Sequence, residues 1–202
     1  MHRVFRSVPV LAALALTTLA TAARADVTVG NKAPDFTLST TDGKKVSLHD
    51  FAGKTVVLEW FNPDCPFVKF AHGDKGPLVA QPKRATGEGV VWLAVNSSAP
   101  GKQGNGTERN VKAAKEYGMS YPILLDSDGK VGKLYGAKTT PHMYVIDKEG
   151  VLRYNGALDN APLGKADGSA INFVDAAIKG VATGKVEKAQ TEAYGCSVKY
   201  DS

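Results

Sequence analysis

The sequence predicts one α/β domain built on a mixed β-sheet, preceded by a short apolar leader. Compact apolar runs of strand length alternate with segments whose composition and spacing are typical of helices packed on a sheet. The last two strand-like runs are joined by only a short turn, which predicts an antiparallel hairpin beside parallel strands. Because the chain has neither an internal repeat nor a second set of apolar runs, we expect a single core.

Residues 1–25 have the pattern of an export signal. The basic start MHRVFRS is followed by the apolar stretch VPVLAALALTTLA and by the small residues Ala23 and Ala25. The apolar stretch is shorter than the ~20 residues of a membrane span, and the small residues fit a signal peptidase site. We therefore predict export into a bacterial periplasm, with the mature chain beginning near Asp26 and spanning no membrane. An uncleaved anchor is the alternative.

The charge balance argues against a nucleic-acid partner. The net charge of +5 falls to +2 without the leader, which contains three arginines and no acidic residue. No block of basic residues with interleaved aromatic residues remains. We accordingly expect neither nucleic acid nor a cofactor among the ligands.

The first half of the chain is predicted to supply the N-terminal strands and the centre of the sheet. DVTVG and the two arms of DFTLSTTDGKKVSLHDF read as short strands, with an Asp-Gly turn at Asp42 and Gly43. The run KTVVLEWF is apolar apart from Glu59, as a central buried strand would be. The prolines of NPDCP end this strand, and a helix is predicted from Pro66 toward Lys83. GVVWLAVNS is the second buried strand.

The second half continues the alternation of helices and strands. TERNVKAAKEYGM is a predicted helix, with Thr107 as its N-cap and Gly118 as its stop. YPILLD, PHMYVID and VLRYNGA are predicted strands, KVGKLYGA is a turn of helix, and INFVDAAIKGVATG is the last helix. The domain is therefore assigned to residues 26–184. A largely polar tail, residues 185–202, carries Cys196.

The residues around Cys65 favour a reactive thiol. This cysteine stands between two prolines, after a buried strand and at the start of a predicted helix, where Pro66 fits the first turn. Free backbone N–H groups and the helix dipole stabilise negative charge there, which lowers the thiol pKa from about 8.5 and favours the nucleophilic thiolate. The only other cysteine is Cys196, so one internal disulfide is possible in an oxidising compartment.

Three segments together carry a family resemblance. VVLEWFNPDCPFV resembles the active-site strand and turn of thioredoxin-fold proteins, and TTPHMYVIDKEGVLRYNGA resembles their Thr-Pro strand and hairpin. NKAPDFTLSTTDGKKVSLHDFAGKTVVLEWF is similar to the opening of the redoxin branch, the alkyl hydroperoxide reductase/thiol-specific antioxidant and TlpA-like group. The resemblance covers roughly residues 29–158. It implies a thioredoxin-like fold, with helices flanking a central mixed sheet and an N-terminal β-hairpin extension.

The resemblance also implies roles for individual residues. Pro141 is expected to follow a cis peptide bond, so that Thr140 offers its backbone to a bound peptide strand or disulfide. Glu59, six residues before Cys65, matches the buried carboxylate that thioredoxins use to exchange a proton with their cysteines. In a dithiol oxidoreductase a second cysteine would lie three residues after Cys65, but Val68 stands there. Cys196 is therefore implied as the resolving cysteine, and an unidentified reductant must then reduce the bridge.

Three alternatives stay open beside thiol-disulfide exchange. A thiol peroxidase acting on a small peroxide is one, although Asn62 and Leu58 replace the threonine and proline of the peroxiredoxin motif and no arginine is near the Thr-Pro turn. A permanent structural disulfide between Cys65 and Cys196 is the second. The third is copper binding through both cysteines, His142 and Met143, although His142 is more simply an ordinary strand residue. His72 is expected to be a packed or surface histidine, too far from Cys65 for an ion pair.

Overall fold

The computed structural model describes residues 27–201, so the predicted export signal lies outside the described residues. Within that range, no helix is long and apolar enough to cross a bilayer. A seven-stranded sheet forms the centre of the domain, in the order β2-β1-β5-β4-β3-β7-β8. Its strands are β1 (Thr37–Thr40), β2 (Lys45–Ser47), β3 (Val56–Trp60), β4 (Val91–Asn96), β5 (Ile123–Leu125), β7 (His142–Ile146) and β8 (Leu152–Gly156).

The sheet is mixed, as predicted. Strands β3, β4 and β5 are parallel to one another, and β7 and β8 extend the sheet as an antiparallel pair beyond β3. The predicted N-terminal hairpin is confirmed, because β1 pairs antiparallel with both β2 and β5. Residues 27–30 of the DVTVG segment do not form a regular strand; the Gly30 N–H donates to the Leu152 carbonyl oxygen at 2.8 Å.

In the described part of the chain, five α-helices pack around the sheet: α1 (Pro66–His72), α2 (Gln81–Gly87), α3 (Thr107–Glu116), α4 (Lys130–Tyr135) and α5 (Phe173–Thr183). The single helix predicted from Pro66 toward Lys83 is wrong. Helix α1 ends at His72, and a 3-10 turn at Pro77–Val79 separates it from α2. Gly76 explains the break, because a Cβ there would overlap the carbonyl oxygens of Phe70 and Ala71.

The N-termini of α3 and α5 are capped in different ways. Thr107 is the first residue of α3 rather than its N-cap, since Gly106 occupies the capping position with a φ of 98°. At α5 the side chain of Asn172 accepts a hydrogen bond from the Asp175 N–H at 2.9 Å. Gly184 then ends α5 in the left-handed conformation.

Each face of the sheet is covered by its own apolar layer. Val57, Phe61 and Met143 belong to the layer that contains Cys65. Leu58, Trp60 and Tyr144 belong to the opposite layer. Because successive side chains of a strand alternate between faces, the side chain of Glu59 lies on the Cys65 side.

The C-terminal tail is folded against the domain. We call residues 189–200 the C-terminal strap. It begins beside β8, where the Asn155 N–H donates to the Ala189 carbonyl oxygen at 3.1 Å and the Thr191 N–H donates to that of Asn155 at 3.2 Å. Its short strand β9 (Cys196–Ser197) then pairs antiparallel with β6 (Thr139–Thr140), and the Tyr200 hydroxyl donates to the Ala137 carbonyl oxygen at 2.8 Å.

Candidate active site

Cys65 lies where the sequence places it, at the N-cap of α1 and five residues after the end of β3. Pro66 is the first residue of the helix. The Cys65 side chain has no exposed surface, and its Sγ atom donates a hydrogen bond to the Thr140 carbonyl oxygen at 3.0 Å. The candidate nucleophile is therefore fixed between the start of α1 and the segment before β7.

The strap brings Cys196 next to Cys65. Thr140 and Cys196 are register partners in the β6–β9 pair, and the two thiols interact with each other. Gly195 allows this approach, because a Cβ at that position would overlap the Thr140 carbonyl group. Both cysteines are free thiols in this structure, Cys65 buried and Cys196 partly exposed. The two sulfur atoms implied by the resemblance are thus neighbours.

The environment separates the acidities of the two thiols. Burial raises the pKa of Cys65, but the nearby side chains of Cys196 and Thr140 and the backbone of Val68 favour the thiolate and outweigh burial, so its pKa lies below the ordinary value. Burial, the hydrogen bond to Cys65 and the negative charge of Cys65 raise the pKa of Cys196 to about 11. Cys65 is therefore the thiol that ionises first.

Thr140 and Pro141 lie opposite the start of α1, on the other side of Cys65. The peptide bond between them is cis, in agreement with the resemblance. The Thr140 hydroxyl is buried and has no hydrogen-bond partner among the described residues. The side chain of Thr140 nevertheless lowers the pKa of Cys65, because a hydroxyl donor favours the thiolate over the thiol.

Glu59 is completely buried and all of its polar contacts are with three side chains. Its Oε1 atom lies 2.7 Å from His72 Nε2, and its Oε2 atom accepts from Trp92 Nε1 and the Tyr121 hydroxyl, both at 3.1 Å. Burial and the adjacent Glu59 carboxylate raise the pKa of Tyr121 well above its ordinary value, which keeps this donor protonated. No hydrogen bond joins Glu59 to Cys65 among the described residues.

His72 is packed, as the sequence suggested, but its contact with Glu59 was not foreseen. Its ring stacks on Tyr117 with centroids 5.1 Å apart and meets Phe61 edge-on at 5.6 Å. The buried positions of α1 include Val68, Ala71 and His72. Helical spacing from Val68 therefore carried the only signal that this histidine would face the sheet.

The turn before Cys65 is fixed by contacts that the sequence did not reveal. Arg109 Nη2 lies 2.8 Å from Asp64 Oδ1 and donates to the Pro63 carbonyl oxygen at 3.2 Å. The Asn62 side chain donates to the Gln103 carbonyl oxygen at 3.0 Å and accepts from the Asp64 N–H at 2.8 Å. Asn62 therefore ties the turn to the long loop after β4 rather than facing the Cys65 thiol.

His142 does not join the two cysteines. It lies on the opposite face of β7, stacked on Tyr144 at 4.7 Å, with Nε2 2.7 Å from Asn155 Oδ1. Its Nδ1 atom accepts from the Lys138 N–H at 3.3 Å, and burial lowers its pKa to about 4, so the ring is neutral. Across residues 27–201, no three His, Cys, Asp or Glu side chains are grouped to hold a metal ion.

Comparison with known proteins agrees with this geometry. The thiol-disulfide oxidoreductase ResA of Geobacillus thermodenitrificans is 32% identical over 135 residues, which cover 63% of this chain and 68% of that relative. Peroxiredoxin Q of wheat, Triticum aestivum, is 32% identical over 139 residues, which cover 63% of this chain and 58% of that protein. These relatives thus include a thiol-disulfide oxidoreductase and a peroxiredoxin, which represent the two kinds of chemistry that the resemblance implies.

Solved structures match more of the chain. A hypothetical protein from Sinorhizobium meliloti is 29% identical, covers 88% of this chain and 97% of its own, and superposes with a TM-score of 0.77. Thioredoxin-like oxidoreductases share the same central mixed sheet and flanking helices, so the predicted thioredoxin-like fold is confirmed. The Redoxin family matches residues 28–169, and with the fold and the buried cysteine at the helix start this places the chain in the redoxin family.

Proposed function

We propose that this redoxin is an exported thiol-disulfide oxidoreductase that reduces disulfides in protein substrates through Cys65 and Cys196. The observation that carries the proposal is the pairing of β6 with β9, which sets the only two cysteines of the chain side by side. The similarity to ResA supports disulfide chemistry. The signal-like pattern of residues 1–25 supports export, which N-terminal sequencing of the secreted product would test, with Asp26 the expected first residue.

In the first step, the Cys65 thiolate attacks a sulfur atom of the substrate disulfide. A mixed disulfide forms between Cys65 and the substrate, and the second substrate sulfur leaves as a thiolate. The lowered pKa of Cys65 increases the share of the nucleophilic thiolate. Because the side chain of Cys65 has no exposed surface, the strap must separate from Thr139 and Thr140 before a protein disulfide can reach it.

In the second step, Cys196 returns and attacks the Sγ atom of Cys65. The substrate leaves as its second thiolate, and a Cys65–Cys196 disulfide remains. The pKa of Cys196 is about 11 because burial and the neighbouring Cys65 thiolate disfavour its charge. In the mixed disulfide Cys65 carries no charge, so the pKa of Cys196 falls and its thiolate becomes accessible.

Three further residues complete the proposed site. Thr140 stabilises the Cys65 thiolate with its hydroxyl, and its backbone, released from β9, would pair with an extended substrate segment. Pro141 fixes this segment against the start of α1. Glu59 would exchange the proton of the leaving thiol. Its position on the Cys65 face of β3 supports that role. Because the Glu59 oxygen atoms contact His72, Trp92 and Tyr121, proton exchange with the leaving thiol requires a rearrangement of these contacts or an intervening water.

Peroxide reduction is the second candidate, favoured by the similarity to peroxiredoxin Q and by the unpaired hydroxyl of Thr140 beside Cys65. A thiolate attacking peroxide would break the O–O bond, form a sulfenic acid on Cys65 and release hydroxide or an alkoxide. The Cys196 thiol would then condense with the sulfenic acid, releasing water and forming the same disulfide. The position occupied by threonine in peroxiredoxins is Asn62, whose side chain is engaged with the loop after β4. We therefore place disulfide exchange first.

The Cys196→Ser variant tests the proposal. Mixed with an oxidised protein substrate, it should accumulate a mixed disulfide on Cys65, whereas Cys65→Ser should accumulate none with that substrate. The reduction potential separates a working couple from a permanent staple, because stable structural disulfides lie below about −300 mV. Consumption of hydrogen peroxide at a rate far above disulfide exchange would instead favour the peroxidase candidate.

A further inference from the structure

We propose that this redoxin prefers protein substrates in which a glycine directly precedes the attacked cysteine and a tyrosine lies two residues before it. Because Cys65 attacks the substrate disulfide in the proposed function, this preference rests on that function and names its substrate class, an extended Tyr-Gly-Cys segment. The strap contains the same sequence at Tyr194–Cys196, and it occupies the site as a tethered copy of the substrate.

Strand β9 lies where a substrate segment must lie. To form a mixed disulfide, a substrate cysteine has to bring its sulfur atom next to the buried Sγ atom of Cys65. Cys196 already holds such a position, opposite Thr140 in the β6–β9 pair. Among the described residues β6 pairs only with β9, so its edge is open to an incoming extended segment once the strap separates. The surroundings of Cys196 therefore indicate which neighbours of a substrate cysteine this site accepts.

The Thr140 carbonyl group leaves no room for a side chain directly before the cysteine. Gly195 has a φ of 135°, a conformation that other residues rarely adopt, and a Cβ there would overlap the Thr140 carbonyl oxygen. The same oxygen accepts the hydrogen bond of Cys65 Sγ at 3.0 Å, so a displacement of this oxygen also disturbs the nucleophile. A substrate with a larger residue before its cysteine must shift its backbone, which moves its sulfur away from Cys65.

A subsite on α1 receives the residue two positions before the cysteine. Alternate residues of an extended segment lie on one face, and Tyr194 and Cys196 both pack against the apolar layer that contains Cys65. The Tyr194 ring packs on Phe67 with centroids 5.8 Å apart, and its hydroxyl donates to Asp159 Oδ1 at 2.5 Å. The ring contact favours an aromatic residue, and the carboxyl acceptor favours tyrosine over phenylalanine. We call Phe67 and Asp159 the tyrosine subsite.

Three short peptides test the preference. The first is acetyl-Ala-Tyr-Gly-Cys-Ser-Val-amide, the second has alanine in place of the glycine, and the third has alanine in place of the tyrosine. Each cysteine is first joined to thionitrobenzoate through a disulfide. Attack of the Cys65 thiolate on the peptide sulfur breaks this bond, forms a Cys65–peptide disulfide and releases the coloured thionitrobenzoate anion, so no further oxidant is needed.

The Cys196→Ser variant is the protein for this assay, because Cys65 is then its only thiol. Its strap competes with all three peptides alike, so the ratios of the rates depend on the peptides. The rate of each peptide with glutathione corrects for differences in intrinsic reactivity. We expect the Tyr-Gly-Cys peptide to react about tenfold faster than either altered peptide, equivalent to about 1.4 kcal/mol. A corrected rate for either altered peptide equal to that of the first would overturn the inference.

The assay also separates this inference from the proposed function. If all three peptides react with Cys65 at equal corrected rates, disulfide exchange at Cys65 stands and the sequence preference is wrong. If none of them forms a disulfide with Cys65, the proposed function fails and the inference fails with it.

A change in the tyrosine subsite gives a second test. Phe67→Ala, combined with Cys196→Ser, should abolish the preference for tyrosine over alanine and keep the preference for glycine. Phe70→Ala is the matched control, because this ring lies on the same helix but packs against Gly164. The control should keep both preferences. A tyrosine preference that survives Phe67→Ala would contradict the assigned subsite.

Discussion

Thr140 and Cys196 face one another in the β6–β9 pair, while the carbonyl oxygen of Thr140 accepts the hydrogen bond of Cys65 Sγ at 3.0 Å. One residue thereby positions both sulfur atoms: its backbone aligns the strand that carries Cys196, and its carbonyl group holds Cys65. Since Thr140 also precedes the cis bond to Pro141, a change in this segment affects the nucleophile and its resolving partner together.

The first prediction concerns the donor that Cys196 provides to the Cys65 thiolate. In Cys196→Ser a hydroxyl donor remains, whereas Cys196→Ala removes it, so the pKa of Cys65 should be lower in the serine variant. We expect a difference of about one to two pKa units, because a hydrogen bond to a charged group contributes roughly 1.5–3 kcal/mol and one unit corresponds to about 1.4 kcal/mol. Thiolate absorbance at 240 nm measures it, since each variant has a single thiol. Equal pKa values would mean that Cys196 does not stabilise the thiolate.

The second prediction concerns the close approach of the strap to Thr140. Gly195 has a φ of 135°, and a Cβ there would overlap the Thr140 carbonyl group. Gly195→Ala should therefore push β9 away from β6 and slow formation of the Cys65–Cys196 disulfide by tenfold or more, as measured with oxidised dithiothreitol. Gly168→Ala is the matched control, because Gly168 also has a positive φ, 87°, but open space around it. The control should bridge at the wild-type rate.

The third prediction concerns the buried contact between His72 and Glu59. His72→Leu leaves one carboxylate oxygen of Glu59 without a partner in the core, which should lower the free energy of unfolding by about 3–5 kcal/mol. His49→Leu removes an equally short contact, 2.7 Å to Asp35, but both partners are exposed, so the expected loss is much smaller than in His72→Leu. Urea unfolding of both variants measures the contrast. Similar losses would contradict a structural role for the buried pair.

The fourth prediction concerns pH and His142. Burial lowers its pKa to about 4, so the folded protein keeps the ring neutral while the unfolded chain binds a proton below about 6.5. Stability should therefore fall as the pH drops from about 6.5 to 4, by about 3 kcal/mol in total from this group. His142→Gln should flatten that part of the curve of unfolding free energy against pH. A variant that keeps the full wild-type slope would assign the acid sensitivity to other groups.

Most of the sheet could be predicted from the sequence because its central strands are buried on both faces. The apolar runs at β3 and β4 are unbroken apart from one charged residue, and a strand covered on both sides has no other pattern. The position of Cys65 at the start of a helix could also be predicted, because a proline that follows it and precedes a helical stretch fits the first helical position. The break after α1 was missed because it depends on the lack of space at Gly76, which only the folded chain reveals.

The contacts that complete the site depend on partners far apart in sequence. Arg109 reaches Asp64 from another helix, and His72 reaches Glu59 from the far end of α1. Neither pair has a spacing that identifies it, since the distance in sequence is set by the loops between elements. The β6–β9 pair is two residues long on each side, too short to produce a strand pattern.

The anchoring of the strap at Thr191 sets a tether for the redox cycle. Thr191 is held to β8 by its backbone bond to Asn155 and by its hydroxyl, which accepts from the Ala157 N–H at 2.8 Å. If that anchor persists while β9 is released, the five residues from Thr191 to Cys196 reach at most about 17 Å when fully extended. The Cys196 sulfur can then move only within about this distance of Thr191. A partner protein must bring its own sulfur into that range to react with it.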